Sequence, residues 1–142
     1  MDDPPQAVLA VNARFYRALG NSDLKLMSRV WMHSREATCI HPGWERLTGW
    51  RAIYESWARI FSHQRRMRVW PSELFVKVDS PLAVVTCIEN MDASTALIDS
   101  LAQAKAMNIF RLAGENWKML HHHAAPLEVS GFQELTFPFS AS

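Results

Sequence analysis

The residues best equipped for chemistry lie in "WKMLHHHAAP", Trp117 to Pro126. His121, His122 and His123 are consecutive there, and nineteen of the 142 residues follow them, so the run is no terminal tag. Adjacent imidazoles can hold a metal, move protons or edge a strand. Glu89, in "VVTCIEN", is the second candidate, flanked along its strand face by Cys87 and Met91. A carboxylate among apolar side chains is costly to ionise, and a raised pKa is what a general base near neutral pH requires. The bland alternative makes Glu89 the partner of an arginine or histidine across a sheet. Asn108, in "NIF", and His41 with Trp44, in "CIHPGW", complete the polar set.

Hairpin arithmetic sorts the histidines. With Gly114-Glu115 at the tip, Ala113 faces Asn116, Leu112 faces Trp117 and Phe110 faces Met119. Continued regularly, Asn108 meets His121 and Ala106 meets His123. Side chains alternate, so His121 and His123 share a face with Asn108 and Phe110, while His122 points the other way. A slip of one residue exchanges the faces. An Asn108–His121 contact either closes a core or forms a polar patch that orients a ligand carbonyl or hydroxyl in an apolar pocket. His121 and His123 have the His-x-His spacing of a metal site, but a further ligand would have to come from His41 or Glu89. No spacing supplies it, and no metal is expected. No GxGxxG, P-loop, HExxH or GxSxG string is present, and no cofactor is expected.

The elements that position these residues follow from periodicity. Asp3-Pro4-Pro5-Gln6 reads as a helix start, followed by Val8, Val11, Phe15 and Leu19 and ended by Gly20. Asn21 or Ser22 caps a second helix through Leu24, Met27, Val30 and Trp31. "ATCIHP" is a short strand, Trp44 to Leu47 a connection, and Thr48 the cap of a third helix carrying Trp50, Ile53, Trp57, Ile60 and Phe61. The period then changes to two, predicting strands over 66–78, 82–91, 101–112 and 117–125. Pro71 marks a bulge or edge in the first of them. Three helices followed by a strand meander predict an α+β domain, helices packed on one face of a curved, mostly antiparallel sheet.

The whole chain reads as one domain, 1–142, with an extended tail over 126–142. Phe132, Leu135, Phe137 and Phe139 in that tail must pack on something. Net charge is +1, which calls for neither nucleic acid nor a membrane surface. Arg65, Arg66 and Arg68 read as a solvated strand end. Cys39 and Cys87 sit in apolar runs and read as buried free thiols. With no signal-like start and no apolar run long enough to span a bilayer, a cytoplasmic location is expected.

The strings "FYRALGNSDLKLMSRVW", "CIHPGWERLTGWRAIYESW", "NIF" and "WKMLHHHAAP" resemble the nuclear transport factor 2-like superfamily over most of residues 8–126. Its SnoaL-like members and the calcium/calmodulin-dependent kinase II association domains are the nearest. The resemblance implies a cystatin-like cone whose helices and concave sheet face enclose a pocket, and a homodimer formed through the outer sheet face. It makes Trp31, His41, Trp44, Trp57, Phe61, Asn108, Phe110, His121 and His123 the expected ligand-binding residues, with Glu89, His121 and His123 the catalytic candidates. At the position of Asn108 the kinase association domains resemble one another in carrying an arginine that takes anions, and asparagine departs from that. Superfamily members include ketosteroid isomerase, which works through strand carboxylates and a hydroxyl. Glu89 suits that logic, but the isomerase's pair of aspartates is not found. Fold alone does not fix function. The expectation is a small-molecule-binding domain with an apolar pocket and a few polar groups. The alternatives are an acid–base isomerase, cyclase or dehydratase acting on an apolar carbonyl compound, and a homo-oligomerisation module.

Overall fold

The computed structural model describes residues 3–127. The expected tail packing of Phe132, Leu135, Phe137 and Phe139 lies outside them.

Helix α1 spans Pro4–Asn21, with the Asp3 carboxylate accepting from Gln6 N at 2.9 Å and proline in the first turn. Its buried stripe holds Val8, Val11, Asn12, Phe15, Tyr16, Leu19 and Gly20. Gly20 does not end the helix, as the sequence suggested. Ser22 does so in the left-handed conformation, φ 50°. Gly20 serves close approach instead: a Cβ there would stand 2.8 Å from the Met67 carbonyl oxygen, and Met67 N donates to Gly20 O at 2.9 Å. Helix α2, Leu24–Val30, is capped by Asp23 through a 2.9 Å bond from Leu26 N. Neither Asn21 nor Ser22 caps it, because both still belong to the end of α1.

Strand β1, Thr38–Ile40, pairs antiparallel with the two-residue strand β2, Leu47–Thr48. Thr48 is therefore a strand residue, and Gly49, φ 90°, precedes helix α3, Trp50–His63, without a side-chain cap. Strands β3, Arg68–Asp79, β4, Leu82–Asp92, β5, Leu101–Ala113, and β6, Asn116–Pro126, form the antiparallel meander. The chain's order in the sheet is β2-β1-β6-β5-β4-β3, with β1 parallel to β6. Among the described residues the result is three helices on an open, mixed six-stranded sheet.

β3 is the edge, and its ladder shifts register between Ser72 and Phe75, where Glu73 takes φ 50°. The bulge anticipated near Pro71 is therefore two residues further on. Asn90 buttresses it, donating to Trp70 O at 3.0 Å and Ser72 Oγ at 2.8 Å.

A second bulge decides the site. Phe110 pairs with Met119 as expected, but Ile109 pairs with His121 and Asn108 with His122. Leu120 is the additional residue, and the extra position bends the strand and resets its alternation. One inner row therefore crosses the sheet as Val76, Val85, Asn108, His122 and Cys39. The neighbouring outer row is Phe75, Thr86, Met107 and His123.

Candidate functional site

The interior between α1, α3 and the inner sheet face is apolar, with a polar network at its centre. α1 delivers Asn12 and Tyr16 one turn apart, β4 delivers Cys87 and Glu89, β5 delivers Asn108 and β6 delivers His122. Asn108 and His122 are 0% and 2% exposed, and Glu89 is 1% exposed. Asn108 is the hub: its Nδ2 donates to Asn12 Oδ1 at 2.8 Å and to the Tyr16 hydroxyl at 3.0 Å. Its Oδ1 is then purely an acceptor, so His122 Nδ1 donates to it, at 2.6 Å. A neutral imidazole protonated at Nδ1 carries its lone pair at Nε2. That nitrogen lies 3.8 Å from Glu89 Oε2.

Burial raises the Glu89 pKa to about 7, against the pull of the Tyr16 hydroxyl, which favours the carboxylate. Burial drives His122 the other way, well below the ordinary imidazole value, assisted by His41, His121 and His123 nearby. The contact is thus a carboxyl beside a neutral imidazole, not an ion pair. Tyr16 is raised well above the ordinary phenol by burial and by Glu89, and stays a hydrogen-bond donor. Its oxygen is 3.3 Å from Cys87 Sγ. Burial lifts the Cys87 thiol to about 11, which leaves it inert. Among the described residues, Asn12 Nδ2 and Glu89 Oε2 have no hydrogen-bond partner.

A second polar cluster adjoins the first. His41 Nε2 donates to Ser56 Oγ at 2.9 Å, because the Ser56 proton already goes to Ile53 O at 2.6 Å. Burial lowers the His41 pKa to about 3. Trp57 stands between the clusters, its ring 4.5 Å from His41 and 6.3 Å from His122.

The sequence-based site is partly redrawn. Asn108, Phe110, Trp57, Trp31, His41 and Glu89 all face the interior, and His41 is fully buried there. Trp44 and Phe61 are half-buried at the margin of the core. His121 and His123 are corrected: the Leu120 bulge turns both to the outer face and brings His122 inward. His121 bonds Thr38 Oγ1 at 2.6 Å, and His123 lines an outer groove of about 510 Å³ with Glu73, Thr86, Ile88, Lys105 and Met107. The interior side chains are packed against one another. A cleft of about 470 Å³ between α1 and β3 reaches them, with Tyr16, Gly20, Met67 and Val69 in its wall. No group of three potential metal ligands occurs among the described residues, and no helix there is long and apolar enough to cross a membrane.

Sequence reasoning missed Asn12, although a signal existed. It is a lone amide in the apolar stripe of α1, four residues before Tyr16 and four after Val8.

The family model described as a SnoaL-like domain matches residues 8–127. Among solved structures, an NTF2-like protein of Streptomyces avermitilis, provisionally named a dehydratase, is 27% identical. The match covers 88% of this chain and 96% of that one, with a TM-score of 0.76. A Thiobacillus denitrificans protein, provisionally named a calcium/calmodulin-dependent protein kinase type II association domain, is 25% identical. There the match covers 84% of this chain and 94% of that one, with a TM-score of 0.75. The F-box protein SKIP8 of Arabidopsis thaliana is 25% identical over 90% of this chain. The chain spans about half, 53%, of that relative's length.

Proposed function

Because the chain belongs to the SnoaL-like domain family, we propose that its interior admits a small molecule through the cleft between α1 and β3, its packed side chains parting to make room, and that Glu89 exchanges a proton with the bound molecule. The observation that carries this is a fully buried carboxyl with a pKa of about 7, set in an apolar interior beside a neutral imidazole and a phenol. Near that pH the acid and the carboxylate are both populated, which suits taking a proton and giving it back. A C–H bond next to an electron-withdrawing group breaks, its proton passes to Glu89, and its electron pair moves onto the ligand. The Tyr16 hydroxyl, released from the Glu89 carboxylate once that group has taken the proton, is the donor for the developing negative charge. Isomerisation returns the proton to a different atom. Dehydration expels hydroxide, which leaves as water after protonation. The provisional name of the Streptomyces relative agrees with the latter.

The test is exchange of ligand C–H for deuterium in heavy water, followed by NMR with carbonyl compounds whose α-protons are mildly acidic. The expected rate rises with pH to a plateau above about 7 and is abolished in Glu89→Gln. Exchange no faster than in buffer, or equally fast in the variant, sinks the proposal.

A second role is supported by the outer sheet face. Phe75, Leu82 and Met107 are 58%, 42% and 44% exposed there, around the groove that contains His123. We infer that a second copy of the chain covers this face, forming a homodimer. Sedimentation velocity is the check: the wild type runs as a dimer and Met107→Asp as a monomer, whereas a monomeric wild type refutes it.

A further inference from the structure

We propose that the cleft between α1 and β3 takes an apolar ligand by its carboxylate, which Arg17 and Arg68 grip at the rim while the rest of the molecule lies inward. This rests on the cleft being the way into the interior, and adds to that reading the ligand's charge and the end by which it is held.

The cleft, of about 470 Å³, joins two kinds of surface. Gly20, Met67, Val69 and Pro71 make part of it apolar, and Tyr16 connects its wall to the buried polar network. Arg17 of α1 and Arg68 of β3 line it too, and both are exposed. No acidic residue lines it. Helix α1 brings none near, since Arg14 and Arg17 are its only charged residues. Arg65 and Arg66, exposed in the segment that leads to Met67, add two further cations alongside. A chain of net charge +1 thus sets Arg17, Arg65, Arg66 and Arg68 at or beside one opening, and such a rim draws anions toward it.

Nothing in the fold neutralises the two lining guanidiniums. Among the described residues neither forms an ion pair with a carboxylate. Arg68 lies over the Trp70 ring at 5.1 Å, a contact that steadies the side chain and leaves its N–H groups available. Asp92 stands opposite Arg68 in the β3–β4 ladder. Ser94 is what chiefly lowers the pKa of that carboxylate, and Arg68 contributes least. The negative end of α1 also lies here, worth about half a charge. Its Ala18, Leu19 and Gly20 carbonyls are already engaged by Asp23 N, Gln64 Nε2 and Met67 N. Two whole cationic charges outweigh what remains.

The interior has the opposite preference. Glu89 is there and His122 is neutral, so an anion drawn inside would be buried without a counter-charge, a costly arrangement. The polarity of the ligand is thereby set. Its carboxylate stays at the rim, where a planar guanidinium matches it with paired hydrogen bonds, and its apolar body reaches inward to Tyr16. Arg17 and Arg68 are specificity-determining residues that act on the end of the ligand remote from Glu89.

Calorimetry on the intact chain tests this with straight-chain ω-phenylalkanoates of three to eight carbons, each set against its primary amide, which has the same shape and no charge. The best acid is expected to bind about tenfold tighter than its amide, the worth of two solvent-exposed ion pairs, and added salt should shrink that advantage. The double variant Arg17→Gln, Arg68→Gln should abolish it and leave amide binding unchanged. Arg51→Gln, which removes the same charge from the start of α3, should leave the advantage intact. The proposal is overturned if no acid binds, if acid and amide bind equally, if the double variant keeps the advantage, or if Arg51→Gln loses as much. The heavy-water exchange experiment separates this claim from the acid–base function. Acids held through Arg17 and Arg68, with no ligand exchanging a proton, leave the grip standing and remove the role of Glu89. Glu89-dependent exchange of neutral carbonyl compounds, with no advantage of acid over amide, does the reverse.

Discussion

Strands β4, β5 and β6 carry polar side chains on both faces of the sheet, and the two sets live under different physics. On the inner face Glu89, Asn108 and His122 are sealed from water, and burial moves the pKa of Glu89 and His122 away from ordinary values. On the outer face Lys105 and His123 are exposed and line an open groove. Residue type does not separate the sets, since adjacent histidines lie in both. What separates them is whether water can compensate a missing partner. Inside, each hydrogen bond is obligatory and its loss costs the desolvation of the group left behind. Outside, solvent makes up the difference.

Mutations can break this contrast. His122→Ala should be the most damaging, since it opens a cavity and orphans Asn108 Oδ1, at a cost of about 3 kcal/mol or more in urea unfolding. Comparable stability in His122→Ala and His123→Ala would show that the inner row is not a sealed network.

Glu89→Gln should produce the next largest effect, and in the opposite direction. The unfolded chain ionises Glu89 from about pH 4.5 upward, while the folded chain keeps the proton until about pH 7. Stability is therefore lost as pH rises through that window and levels off above it. Replacing the carboxyl by an amide should raise stability at pH 8 by up to about 3 kcal/mol and change little at pH 4. The histidines slope the other way. The unfolded chain takes up protons below about pH 6.5, but buried His122 and His41 do not, the latter down to about pH 3. Wild-type stability should consequently peak near pH 6.5, because two imidazoles outweigh one carboxyl below it. Thermal melts across pH 4–8 for wild type and variant measure both slopes. A variant no more stable than wild type at pH 8 would mean that Glu89 ionises freely in the fold.

Two outer-face changes should be small. Thr38→Val removes the 2.6 Å bond to half-buried His121 and should cost about 1 kcal/mol. His123→Ala should stay within about 0.5 kcal/mol. A large loss from His123→Ala in a protein that sediments as a monomer would erase the distinction between the faces.

Much of the fold was legible because periodicity and caps are local. Asp3, the Gly114-Glu115 turn and the switch to period two after His63 each announce themselves within a few residues. The faces of His121 to His123 were not legible, since they depend on one unpaired residue, Leu120. No composition rule distinguishes a bulged leucine from a paired one. Glu89 was readable from its apolar neighbours on the same strand. Its partner was not, because His122 is two strands away. The ends of α1 and α2 were misjudged for a related reason. Gly20 looked like a stop signal, but its lack of a side chain serves contact with another element.

That glycine governs more than a helix boundary. Asn12, Tyr16 and Gly20 fall at intervals of four along one stripe of α1, and Gly20 lets the end of that stripe ride low over Met67 and Val69 at the start of β3. A methyl group there would meet the Met67 carbonyl at 2.8 Å and jack up the end of the helix. The lift, transmitted one turn back, would draw the Tyr16 hydroxyl away from Glu89. The absence of a single carbon thus acts as a height gauge, and the proton affinity of a carboxyl on another element is the dial on which it reads.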